Sequence, residues 1–171
     1  MSTPASATVD TPSEQESCGS IVIDTRFGRF GFDPAQTIEF ARGVMGFPSQ
    51  KSFGLTALPD PRFNQFMLLQ SLTDASLSFL VMPVTSGVGP IAPEDLEAER
   101  EALDIAPQNL AVVLIVSVRK VGGETQVSVN LRAPVFLDAG RRIGAQVVLT
   151  NGNYPIRHVL GSRPSATAEV K

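Results

Sequence analysis

AVVLIVSVRKVGGETQVSVNL, residues 111–131, reads as two strands joined by a tight turn. Ala111 to Arg119 and Thr125 to Leu131 are rich in β-branched residues, which suit a pleated, half-buried surface. Between them, Gly122-Gly123 can take positive φ at both central positions of a two-residue type I′ turn, the turn whose twist matches the strands it joins.

The same grammar of short apolar runs with period two, punctuated by Gly and Pro, extends upstream and predicts an antiparallel all-β domain. Ile21 to Thr25 opens it, and Phe27-Gly28-Arg29-Phe30-Gly31-Phe32 alternates Phe with Gly, which sets its rings on one face or on a sharply curved strand. Thr37 to Phe40, Ser52 to Leu58, Phe66 to Leu72 and Ser78 to Val84 are further strand candidates. One segment breaks the pattern. Pro93 to Leu103 predicts a helix, with Pro in the first turn and Glu94 and Asp95 placed against the positive end of the helix dipole. Leu96, Arg100 and Leu103 share one face of it, with the two leucines as apolar anchors.

At 171 residues the chain suits one domain, since a core of this size does not divide readily. Residues 1–19 and 161–171 are polar and Ser/Thr/Pro-rich and cannot bury enough surface to offset their ordering entropy, so disordered tails are expected around a folded unit of residues 20–160. Asp10, Glu14 and Glu16 account for the formal charge of −3. The remaining charges segregate. Glu94, Asp95, Glu97, Glu99, Glu101 and Asp104 surround a single base, Arg100, whereas Arg132, Arg141, Arg142 and Arg157 face one acid, Asp138, in the C-terminal part.

A lone Cys18 excludes an internal disulfide framework and fits a reducing compartment. No basic start precedes an apolar stretch, and the longest apolar run, Leu110 to Val116, is far short of the ~20 residues of a membrane helix. A cytoplasmic protein that spans no membrane is expected, with no electrostatic reason to bind an anionic surface.

Little supports catalysis. His158 is the single histidine and Cys18 lies in the tail, so neither a nucleophile–base pair nor a zinc ligand set can be drawn. No Walker A or Gly-rich dinucleotide motif is present. The helical carboxylates should behave as ordinary solvated acids. A non-enzyme without metal or cofactor is the expectation, and a small β-barrel that binds single-stranded RNA is the alternative. Against that alternative, Trp is absent and Tyr is single, leaving few stacking platforms.

The segment from Val129 to His158 carries a family signature. Asn130-Leu131-x-Ala133-Pro134-Val135 leads to Arg141-Arg142 with Gly144, then to Gln146-Val147-Val148-Leu149, and closes on Tyr154-Pro155-x-Arg157. It resembles the flagellar assembly factor FliW family. Three further segments are similar in the same order: Ile38-Glu39-Phe40 with Gly43-Val44-Met45-Gly46-Phe47, Leu69-Gln70-Ser71-Leu72 with Leu77 to Val81, and the acidic helix. Asp138 stands where that family commonly has Asn, Met45 where it has Pro, and the N-terminal tail is longer.

The resemblance implies a non-catalytic, cytoplasmic protein that binds flagellin and the translational regulator CsrA, relieving CsrA repression of flagellin mRNA, with no direct nucleic-acid contact. A monomer is expected. The acidic helix, through Glu94, Asp95, Glu97, Glu99 and Glu101, is the candidate surface for CsrA, because proteins of that type are basic where they bind RNA. Flagellin termini form amphipathic helices, so an apolar surface is expected for them. The loop Gly43 to Phe53, with Val44, Met45, Phe47 and Phe53, is the candidate, at least half of those side chains being expected in the core. Arg141, Arg142 and Arg157 are contact candidates because charged turn residues contribute little to stability. Asn130, Gln146 and Tyr154 are more simply read as satisfying backbone groups at strand ends.

Overall fold

A computed structural model describes residues 19–85 and 89–164; of the expected tails 1–19 and 161–171, residues 1–18, with Cys18, and 165–171 lie outside the described residues. Eleven strands and one α-helix follow in order: β1 (Ile21–Thr25), β2 (Gly28–Phe32), β3 (Ile38–Glu39), β4 (Ser52–Ala57), β5 (Met67–Ser71), β6 (Ser78–Pro83), α1 (Pro93–Ala102), β7 (Leu110–Val121), β8 (Glu124–Val129), β9 (Val135–Asp138), β10 (Ile143–Gln146) and β11 (His158–Pro164). The expected all-β, barrel-like architecture with one short acidic helix is present.

β7 organises it. Its first half pairs with β9 on one edge and β6 on the other, while Val116 to Val121 pair with β8. β6-β5-β4-β3-β10-β9 then returns to β7 and closes a ring, with β8 and β11 extending from it as a flap. Among the described residues, all pairings between strands are antiparallel except one. β10 meets β3 in parallel through Ile143 and Glu39 alone, supported by the Glu39 N–H donating to the Arg142 carbonyl at 2.9 Å.

The expected turn at Gly122-Gly123 forms, with φ of 59° and 84° and Val121 directly opposite Glu124. β11 continues to Pro164, past the expected limit at Leu160. The ladder explains this, because backbone groups of β8 from Glu124 to Val127 accept a partner strand whatever its side-chain polarity.

Period two on β7 sends neighbouring side chains to different cores. Val113 joins Phe40, Phe53, Leu69, Val81, Val135 and Leu137 inside the ring. Leu114 and Val116 join an outer cluster with Phe66, Val129, Leu131 and Leu149. Val112 joins Phe136 and Ile105 beneath α1, against which Leu96 and Leu103 pack as their shared face predicted.

Two glycines permit close approach. A Cβ on Gly54 would enter the Phe32 ring, the contact that seats the β1–β2 hairpin on β4, and a Cβ on Gly144 would enter the fully buried Phe40 ring next to the parallel closure. Gly144→Ala is therefore expected to overpack the ring interior and destabilise the protein by about 1–3 kcal/mol. Urea unfolding should show a lower midpoint with an unchanged slope; a midpoint equal to wild type would show that Phe40 yields without cost.

Candidate partner-binding surfaces

Helix α1 begins without a cap of its own, since Ala92 at the N-cap has no side-chain acceptor. Tyr154 supplies one from far along the chain. Its hydroxyl accepts the Ala92 N–H at 3.0 Å and donates to Asp95 Oδ2 at 2.5 Å, and Asn151 Nδ2 donates to the same oxygen at 3.1 Å. In a capping box the N3 carboxylate reaches back to the N-cap N–H; here a tyrosine hydroxyl stands between them. These hydrogen bonds, Tyr154 first and Asn151 second, hold the Asp95 carboxyl below the usual carboxylate range. Asp95 raises Tyr154 above its ordinary value in return.

At the other end Asp104 takes the left-handed conformation with φ of 54°. The Ile105 N–H reaches the Arg100 carbonyl and the Asp104 N–H the Glu101 carbonyl, the pairing of a Schellman cap with Asp where Gly is usual. Arg100, the one base on the helix, turns inward with its side chain 12% exposed, paired to Glu97 at 2.5 Å and near Glu101 at 3.5 Å. It also donates to the Ile105 carbonyl. The Glu97 carboxyl is held low by the hydrogen bond from Arg100.

The helical candidates therefore divide. Glu94 and Glu101 are exposed and Glu99 is partly so, whereas Asp95 and Glu97 are engaged in holding the helix. The basic candidates divide as well. Arg141 Nε donates to the buried Asp138 Oδ2 at 2.7 Å, and its far end reaches the Asp104 carbonyl, with the Asp104 carboxylate 3.9 Å away. Asp138 also accepts the N–H groups of Gly140 and Arg141. Backbone and side-chain bonds from Arg141 lower its carboxyl most. Arg142 is half-buried with φ of 55°, and Arg157 is exposed. The acidic helix and the Arg141 turn thus touch through Asp104 rather than forming separate poles.

The Gly43 to Phe53 loop divides evenly: Val44 and Phe53 are buried, Met45 and Phe47 are 48% and 41% exposed. The Phe47 N–H donates to the Val44 carbonyl at 2.8 Å and Gly46 has φ of 89°, which makes Met45 the i+1 residue of a type II turn. Phe47 packs edge-on against Phe79, their centroids 5.6 Å apart. Gln146 fixes the loop by accepting the Met45 N–H at 2.9 Å and donating to the Ala133 carbonyl at 3.1 Å. Asn130 accepts the N–H groups of Arg132 and Ala133. Asn130, Gln146 and Tyr154 all serve backbone groups, as expected.

Two features of these surfaces, among others, escaped the sequence reading. The Tyr154 cap had one signal, a weak N-cap residue ahead of Pro93. The other is a cleft of about 560 Å³ between the β1–β2 turn, the β4–β5 connection and β6–β7, which no local pattern marks. Among the described residues, no helix is long and apolar enough to cross a membrane.

A family model described as FliW protein matches residues 21–160. The chain is 34% identical over 149 residues to a flagellar assembly factor FliW of Desulfitobacterium hafniense (strain Y51), covering 85% of this chain and 94% of that relative. It is 31% identical over 140 residues to the Geobacillus sp. (strain WCH70) protein of the same description, covering 81% and 94%. A crystal structure of the flagellar assembly factor FliW superposes with a TM-score of 0.61 at 27% identity, over 82% of this chain and 96% of that one.

Because the folded Asp95 pKa is depressed, the stability it contributes is present above its ordinary value of 3.8 and is lost as pH falls through the lower folded value. Tyr154→Phe removes the largest cause of that depression together with the helix cap. The variant should melt a few degrees lower at neutral pH, as expected for losing about 1–2 kcal/mol of hydrogen bonding. Its deficit should shrink in melts below the folded Asp95 pKa. A deficit that stays constant with pH would separate Tyr154 from Asp95.

Proposed function

The chain belongs to the FliW family of flagellar assembly factors, and from that premise we propose a cytoplasmic, non-catalytic partner switch that binds flagellin and CsrA. The observation that carries the CsrA half is the outward charge of α1. With Arg100 turned under the helix against Glu97 and, at 3.5 Å, Glu101, Glu94 and Glu99 carry no ion pair among the described residues and Glu101 only a long one, so the outward face of α1 stays net negative. A basic surface approaching it is steered and oriented by complementary charge. Binding there relieves CsrA repression of flagellin mRNA in this reading.

For flagellin, Met45 and Phe47 supply an exposed apolar pair on a turn pinned by Gln146. Rigid apolar anchors bind at lower ordering cost than mobile ones. Arg142 and Arg157 are proposed rim contacts, and Arg141 contributes mainly by joining its turn to Asp104.

Changing Glu94, Glu99 and Glu101 together to Lys should weaken CsrA binding by at least about tenfold at low salt, a loss that shrinks as salt screens the wild-type attraction. Glu97 is left in place because it holds Arg100. Calorimetry with purified CsrA measures this, and an unchanged affinity removes α1 from the interface. Met45→Ser with Phe47→Ser should weaken flagellin binding by a similar factor while leaving CsrA binding unaltered. Equal loss of both partners would indicate one shared surface.

A further inference from the structure

The ladder between β6 and β7 ends before either strand does. Val81 pairs with Ile115, but β6 begins at Ser78 and β7 runs to Val121. Beyond Ile115 the two strands part, and the 560 Å³ cleft opens where they diverge, with Leu80, Val116 and Val118 in its lining.

Backbone directions along β7 follow from two bonds. The Val112 carbonyl accepts from Val84, on the β6 side, and the Ile115 carbonyl accepts from Asn130, on the β8 side. Alternation then turns the N–H and C=O groups of Val116, Val118 and Lys120 toward the β6 side; the Val81–Ile115 pair closes the ladder through the Val116 N–H on the Leu80 carbonyl, and beyond it no described residue pairs with Val118 or Lys120 on that side. On β6, the Ser78 carbonyl is taken by Arg26. β7 therefore presents an unpaired edge beside an apolar cleft, with Phe63 and Val118 45% and 52% exposed.

We propose that this edge receives an extended segment of a partner protein, added as a strand along Val116 to Lys120, with apolar side chains at alternate positions and acidic residues at its ends. A strand satisfies both requirements of the site: its main chain pairs the open edge, and every second side chain enters the cleft. The acidic ends follow from charge. Arg26 and Lys120 have no carboxylate partner among the described residues, whereas Asp60, the acid of the lining, is paired to Arg62 at 2.6 Å. The site differs from the Met45–Phe47 turn, because Phe47 packs on Phe79 while the cleft takes Leu80 from the opposite face of β6.

Hydrogen exchange on the whole protein tests the edge directly: amides of Val118 and Lys120 should exchange fast, and those of Arg119 and Val121, which face β8, slowly. Slow exchange at Val118 and Lys120 in the monomer would overturn the assignment. The probe is a short fluorescein-labelled peptide alternating Val and Thr with Glu at both ends. It should bind and slow the Val118 and Lys120 amides. N-methylation of its alternate amides, which removes strand pairing and keeps the side chains, should weaken binding at least about tenfold, as should Val118→Glu. Arg26→Glu should weaken it less, and Phe47→Ser should leave it unchanged. Absence of binding, equal binding of the methylated peptide, or protection arising from dimerisation of the protein alone would each overturn the proposal. No flagellin or CsrA enters this assay, so its outcome is separate from that of the proposed function.

Discussion

Strand β7 has to satisfy three partner strands and three apolar clusters with twelve residues. Its N-terminal half can be buried on both faces only because β6 and β9 take both edges, which closes the ring. Its C-terminal half cannot stay in the ring, because β8 follows through a two-residue turn and claims the edge that β9 used before. The strand is therefore shared between a barrel and a flap, and the fork between β6 and the flap is the geometric consequence. The cleft and its open backbone edge arise from that sharing, with no separate structural element built to make them.

Helix α1 shows the opposite economy. None of its residues is buried, and isolated helices of this length are marginal in water. Its persistence rests on contacts from elsewhere in the chain: Leu96 and Leu103 over Phe136 and Val112, Arg100 on the Ile105 carbonyl, and Tyr154 across the first turn. The acids nearest these anchors are the ones drawn into internal bonds. Those left over define the outward charge, so the chemistry of the helix surface is set by how the helix is held and not by its composition.

Legibility in the sequence followed the range of the interaction. The hairpin at Gly122-Gly123 and the helix at Pro93 depend on local pattern and could be read, as could the expectation that at least half of Val44, Met45, Phe47 and Phe53 enter the core. Which of them do could not be read, and Val44, a contact candidate in the sequence, is buried. The inward turn of Arg100 depends on Ile105 and its cap, and the Asp95–Tyr154 bond joins residues 59 positions apart. Nothing in either neighbourhood announces such pairs. The parallel closure of β3 on β10 was hidden for the same reason, resting on one residue pair. The extension of β11 past Leu160 was missed for another: strand pairing uses backbone groups, and composition reports only side chains.

Two of the departures from the family pattern, Met45 and Asp138, bear on how much of the surface remains open to partners. Met45 at the i+1 position of a type II turn keeps a geometry that proline also favours. Unlike proline it retains an N–H, and Gln146 accepts it, so stiffness that a ring would supply is supplied by a cross-link to the Ala133 carbonyl. At Asp138, one oxygen accepts the N–H groups of Gly140 and Arg141, work that an asparagine oxygen does equally well. The second oxygen takes the Arg141 side chain. The added negative charge is therefore matched inside the turn, and the positive surface beside the acidic helix passes to Arg142 and Arg157. Both residues are held by bonds within or beside their own turns, and those bonds decide which side chains remain available outside them.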